Sequence, residues 1–148
     1  MMRRFAVFLA VAAAFAAGPV SHAQDGATIF KRCAACHLPT GAGVPGAFPP
    51  LKGDVAALAG SPAGRRYLAL VVMRGLSGPI TVGGKPFRGT MPAQSGLNDE
   101  QVAAVLNHVL KGSGAEPFSA KEVAGFRAGG ASLNSAAVAR LRTSAAGK

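Results

Sequence analysis

The two cysteines of this 148-residue chain stand three positions apart, and a histidine follows the second directly: Cys33-Ala34-Ala35-Cys36-His37. On a helix, positions i, i+3 and i+4 share one face, so both thiols and the imidazole address whatever lies against that face. This pentapeptide constrains the fold more than any other stretch, because the chain around it has little with which to build a core. Gly41, Gly43, Pro45, Gly46, Pro49 and Pro50 exclude regular structure over residues 39–53, and residues 76–97 also lack helix signals. Tyr67 is the only tyrosine, and there is no tryptophan. A segment of about 90 residues so rich in glycine does not readily bury enough apolar surface on its own. Something large and apolar must fill the centre.

The motif says what fills it. Cys-x-x-Cys-His is the attachment signature of c-type haem: the thiols of Cys33 and Cys36 add to the two vinyl groups, and His37 ligates the iron from the proximal side. The small Ala34 and Ala35 leave room for the porphyrin edge. One motif predicts one covalent haem c per chain. Other uses of the same residues fit less well. A dithiol redox centre opens a helix that follows a strand, and no strand pattern precedes residue 33. A zinc site needs a further ligand, and a disulfide between residues three apart closes a strained loop.

Covalent attachment of this kind follows export, and the N-terminus agrees. Residues 1–23 read as a cleaved signal peptide. Arg3 and Arg4 precede an apolar run over residues 5–17, Gly18-Pro19 breaks it, and Ser21 and Ala23 stand at −3 and −1 of a cleavage site before Gln24. The run is short of the roughly 18 residues that span a bilayer, so the mature chain is expected to have no integral membrane span and to reside in the periplasm. Cleavage leaves 14 of the 16 basic residues against six acidic ones, a charge of +8 before two haem propionates. A basic balance suits nucleic acid, an anionic membrane or an acidic protein. Export argues against nucleic acid, and the basic residues adjoin one another only at Lys31-Arg32 and Arg65-Arg66.

Periodicity predicts an all-α chain of about three main helices with irregular loops. The first covers residues 25–35. The second follows Ser61 with Pro62 at its first position, runs to about Arg74 and stops at Gly75. The third spans residues 99–111, with Asn98 as cap, Val102, Val105, Leu106 and Val109 as its apolar stripe, and Gly112 as its stop. One further helical turn is expected over residues 54–59. Ile80-Thr81-Val82, Gly83-Gly84 and Lys85-Pro86-Phe87 predict a small hairpin. Past Gly112, Ser119 and Glu122 suggest a capping box on a weak helix over residues 119–128, and the rest is expected to be partly disordered.

Taken together, these residues resemble the class I c-type cytochromes over about residues 25–111. Gly26 and Phe30 stand where that family packs its first helix against its last. Pro49-Pro50-Leu51 resembles its proline-leucine element, and Met91-Pro92 its methionine loop before the final helix. The resemblance implies the class I fold, a cytochrome c domain over residues 24–112, and a C-terminal extension over residues 113–148. It implies Met91 as the distal ligand and the Pro49 carbonyl as the partner of the proximal imidazole, with Leu51 against the haem edge.

The residues bear on the sixth ligand as well. Of the methionines, only Met73 and Met91 survive cleavage. Met73 lies inside a helix among valines, where a core role is favoured, whereas Met91 lies on a loop. His108 shares a helix face with Val105, and packing against Gly26 and Phe30 is expected of it. Tyr67, Arg65, Arg66, Arg74 and Arg88 are candidates to meet the propionates.

An iron with two strong protein ligands changes oxidation state without binding substrate. The chain is therefore expected to be an electron-transfer protein and not an enzyme. It would shuttle electrons to or from an acidic redox partner, such as a donor dehydrogenase, a terminal oxidase or a reductase, or serve as a fixed subunit of such a complex. A c-type peroxidase would be expected to carry two haem motifs, and a cysteine-ligated sulfur-oxidising haem a third cysteine. A gas sensor requires a displaceable sixth ligand.

Overall fold

The computed structural model describes residues 25–146, so the expected signal peptide lies outside the described residues. Helix α1, Gly26–His37, starts where Asp25 accepts a hydrogen bond from the Thr28 amide at 2.8 Å, and it buries Ile29, Phe30 and His37. Helices α2, Asp54–Ala59, and α3, Pro62–Arg74, follow. Ser61 accepts the Gly64 amide at 3.0 Å, and Pro62 occupies a first-turn position whose N–H has no helical partner. Strand β1, Leu76–Ser77, pairs antiparallel with β4, Thr90–Met91. Between them β2, Ile80–Val82, and β3, Lys85–Phe87, form the expected hairpin about Gly83-Gly84. Each ribbon has only two strands, so Pro86 lies on an edge strand, as a proline must. Helix α4, Asp99–Val109, carries a full reciprocal cap between Asn98 and Gln101.

The centre of the fold is the crossing of α1 and α4, backed by α3. Ile29, Leu70 and Val102 are fully buried there. The Phe30 and His108 rings lie 5.1 Å apart in a tilted stack, so His108 packs against α1 as expected. Met73 is buried in the core at 2% exposure. Among the described residues no helix is long and apolar enough to cross a membrane.

The C-terminal segment departs from expectation. Helix α5, Ala120–Gly129, forms as predicted, but its capping box is half made. Ser119 Oγ accepts the Glu122 amide, while the Glu122 carboxylate turns away to Arg65. Beyond it, where partial disorder is expected, the chain forms a sixth helix, α6, Ser135–Ala145. Asn134 caps it at 2.8 Å, and Val138 on it is fully buried. The composition misleads here because arginines join a few apolar side chains, among them Phe118, Val123 and Val138, as the anchors. Arg65 on α3 holds Glu122 through Nε at 2.6 Å and Nη2 at 2.7 Å. Arg127 on α5 reaches Asp99 at the start of α4, and Arg142 on α6 reaches Asp54 at the start of α2. Asn107 clamps Phe118 by donating to its carbonyl and accepting its amide. Alanine-rich helices fix little side-chain entropy, so such anchors suffice.

One of these ties has a pH signature. The Arg65 guanidinium holds the Glu122 carboxyl below its ordinary value of 4.5. A depressed carboxylate stabilises the fold above that ordinary value, and the contribution fades as pH falls through the lower folded one. Glu122→Gln is therefore expected to cost about 1 kcal/mol at pH 7, a figure kept low because the pair is partly solvated. Denaturant unfolding should show the difference from the unaltered protein shrinking as pH drops below 4.5. A cost that stayed constant down to acid would mean that the pair contributes nothing through charge.

Candidate cofactor site

The core is not filled by its own side chains. A largely apolar cavity of about 260 Å³ opens at its centre, and Cys33, Cys36, His37, Pro49, Leu51, Tyr67 and Met91 all line it. The fold thus brings seven residues expected from the sequence, separated by up to 58 positions, to one shared space.

Helix α1 delivers the first three. Its last turn ends in a break at Leu38, whose φ of 63° and ψ of 157° are costly for a residue with a side chain. The break folds the glycine-rich loop back beneath the helix: the Gly43 amide bonds the His37 carbonyl at 2.9 Å, and the Leu51 amide bonds that of Gly41 at 2.9 Å. The Pro49 carbonyl is thereby set 2.9 Å from His37 Nδ1. A carbonyl can only accept, so Nδ1 donates to it and Nε2 is the ring nitrogen left to ligate a metal, the arrangement a metal-binding histidine needs. Burial pushes the Cys33 thiol up, against the pull of Arg32. A dithiol redox centre works with a depressed thiol, and this environment pushes Cys33 the other way.

Met91 arrives from the other side of the sequence, and its position is tighter than a loop would give. It lies in β4 with Leu76 as its cross-strand partner. Gly75, at φ 72°, lets the backbones approach so closely that a Cβ there would sit 2.8 Å from the Ala93 amide nitrogen. The Gln94 amide adds a bond to the Val72 carbonyl at 2.8 Å. The backbone that carries the sulfur is thus held at three successive points.

The propionate candidates sort clearly. Arg65 is committed to Glu122 and to the carbonyls of Glu116 and Pro117, and Arg66 bonds the Gly129 carbonyl. Neither they nor Arg74 and Arg88 line the cavity. Tyr67 does line it, and burial pushes its phenol up while the Arg142 guanidinium pulls against that. Sequence reasoning does not find Arg142 itself, which comes from α6 and lines the cavity beside Asp54. A signal was present: Asn134 as cap, then Val138, Leu141, Arg142 and Ala145 at helical spacing.

These residues fit a covalently held haem: two thiols on one helical face, an imidazole whose Nε2 is left to ligate, a thioether, and apolar walls. Comparison with known proteins agrees. The family described as Cytochrome c matches residues 23–113. A protein named Cytochrome c-552 from Thermus thermophilus is 47% identical over 111 residues, covering 70% of this chain and 85% of the relative. A second Cytochrome c-552, from a particular strain of the same organism, is 47% identical over 111 residues, covering 70% of this chain and 75% of its own.

Proposed function

This chain belongs to the cytochrome c family as a class I monohaem protein with covalent haem c, and on that premise we propose that it is a periplasmic electron carrier whose iron is held between His37 and Met91. When bound, the haem supplies a one-electron couple. The single observation that carries the reading is the convergence of Cys33, Cys36, His37 and Met91 on one apolar cavity. Cys33 and Cys36 anchor the macrocycle, and the Pro49 carbonyl holds the His37 ring in its ligating tautomer. The thioether of Met91 favours the reduced state of the iron. Electron transfer then needs no substrate site, only a partner brought close to the cofactor edge.

The surface near that edge supports a docking role. The large apolar side chains left exposed among the described residues, Leu38, Val44 and Phe48, all lie on the loop after His37, where Val44 and Phe48 are bridged. Lys31 and Arg32 are exposed on α1, the helix that leads into this loop. A small apolar face with cations nearby suits brief encounters with an acidic redox protein. The electrostatic part should act on the association rate, because the Debye length shrinks from about 30 Å at 0.01 M salt to about 3 Å at 1 M. In stopped-flow reduction by the native partner, the second-order rate should fall severalfold across that range. Lys31→Glu should lower the low-salt rate more than Arg140→Glu, an exposed position on α6. Arg142, although equally far along the chain, does not serve as that control, because it lines the cavity. A rate indifferent to salt would remove the steering argument and favour a permanently bound subunit.

A further inference from the structure

A second pocket, of about 210 Å³, lies against the cofactor cavity, and Leu51 and Val109 line both. It opens where the end of α4 meets α1 and the loop after His37. The bond from the Leu51 amide to the Gly41 carbonyl draws the Thr40 and Lys52 ends of that loop together. Lys111, just past α4, reaches the same opening as His108. The cofactor cavity is largely apolar, whereas this pocket sets a hydroxyl, an imidazole and two ammonium groups among the apolar walls of Phe30 and Leu51. Among the described residues no carboxylate lines it. These cations differ from those that tie the fold together. Arg65, Arg127 and Arg142 each meet a carboxylate, while Lys52, Lys111 and His108 have no ion-pair partner among the described residues. The His108 ring nitrogens are not sealed from solvent either. Like charges around one opening repel, and a counter-ion between them relieves the repulsion. The negative end of α4 is blunted, because the Leu106, His108 and Leu110 carbonyls already accept the amides of Leu110, Lys111 and Ser113.

We propose that this pocket binds a small free oxyanion of the phosphate type, and that its occupancy lowers the reduction potential of the neighbouring haem. Lys52 and Lys111 supply charge-assisted hydrogen bonds, Thr40 a hydroxyl donor, and His108 a ring N–H in either protonation state. The pocket far exceeds the roughly 10–15 Å³ that admits one water, so it has room for a polyatomic ion. A tetrahedral ion offers several acceptors to donors that converge from separate segments, so phosphate is held better than chloride. The link to the iron is electrostatic and runs through the shared wall of Leu51 and Val109. A negative charge there favours the ferric state, which carries one more positive charge than the ferrous. By reciprocity the ferric protein holds the ion more tightly than the ferrous, by the factor that sets the shift in potential. This coupling rests on the haem occupying the adjacent cavity; the binding does not.

The test takes the haem-loaded protein through a series of inorganic phosphate concentrations at fixed ionic strength, balanced with chloride so that screening stays constant. Nitrogen–proton correlation spectra should show saturable shifts of the Thr40 and Lys52 amides and of the His108 ring. Redox titration should give a midpoint that falls to a plateau over the same series. A preference of about twofold for the ferric form corresponds to about 18 mV, at about 59 mV per tenfold change for one electron. The double variant Lys52→Gln with Lys111→Gln should bind phosphate about tenfold more weakly or worse, and its midpoint should no longer fall. Lys121→Gln, at an exposed position on α5, should leave both responses as they are. Spectra and midpoint that ignore phosphate, or responses that survive in the double variant, overturn the proposal. Saturable shifts with an unmoved midpoint overturn the control of potential. Neither readout depends on the sixth ligand: loss of the far-red sulfur band in the unaltered protein would count against Met91, while a pocket indifferent to phosphate counts against this site alone.

Discussion

Alanine at Met91 is expected to strip the ferric protein of its weak far-red sulfur-to-iron absorption and to open the iron to cyanide. Its reduction potential should fall by a sizeable part of the roughly 0.8 V that axial ligands command. The effect is large because one atom carries it. The bonds that fix this segment are made by backbone groups, in the β1–β4 pair and between Gln94 and Val72. A truncated side chain leaves them intact, so the variant should fold with the haem attached and lack only the sulfur. The unaltered protein should resist cyanide and carbon monoxide, which separates a carrier from a gas sensor. Met73→Ala and His108→Ala serve as controls, the first buried in the core and the second stacked on Phe30. Loss of the band in either control, with Met91→Ala unchanged, would sink the ligand assignment.

The sequence was most legible where chemistry and spacing coincide. Cys33, Cys36 and His37 announce themselves because one helical face presents all three to a single group, and α4 announces itself through Asn98 as cap followed by the stripe of Val102, Val105, Leu106 and Val109. The β2–β3 hairpin was readable for a similar reason, since two glycines at its turn leave few alternatives. What escaped was carried by long polar side chains. Glu122 could have closed its own helix cap, and nothing local says that it prefers Arg65, 57 positions away. Arg142 sits in an alanine-rich stretch whose apolar content is low, and its burial depends on Asp54 and the Thr81 carbonyl. Such contacts are non-local and directional, and hydrophobic periodicity does not report them. The C-terminal segment therefore read as a tail, while the structure uses it as a wall of the cofactor site.

A second large effect is expected from the smallest possible change, Gly26→Ala. Gly26 opens α1 at an ordinary helical conformation, and alanine there would by itself favour the helix by up to about 1 kcal/mol. Packing reverses the sign. A Cβ at this position would overlap the Ala104 carbonyl oxygen and sit 2.8 Å from His108 Cβ. The Ala104 groups are helix backbone and do not swing aside, so α1 must move off α4. Overpacking of this kind costs about 1–3 kcal/mol, and more where the neighbour is rigid. For a chain of this size that corresponds to a melting temperature lower by on the order of 10 °C. The displaced helix is also the one that holds Cys33, Cys36 and His37, so the loss should appear as a weaker far-red band along with earlier unfolding. Gly125→Ala on α5 is the matched control. It is exposed, with no atom within 4 Å of the added carbon, and should stabilise by about 0.5–1 kcal/mol through helix propensity alone. Thermal and denaturant unfolding of both variants beside the unaltered protein gives the comparison. Equal stabilisation by the two alanines would mean that α1 and α4 do not cross at Gly26 as closely as the structure has it.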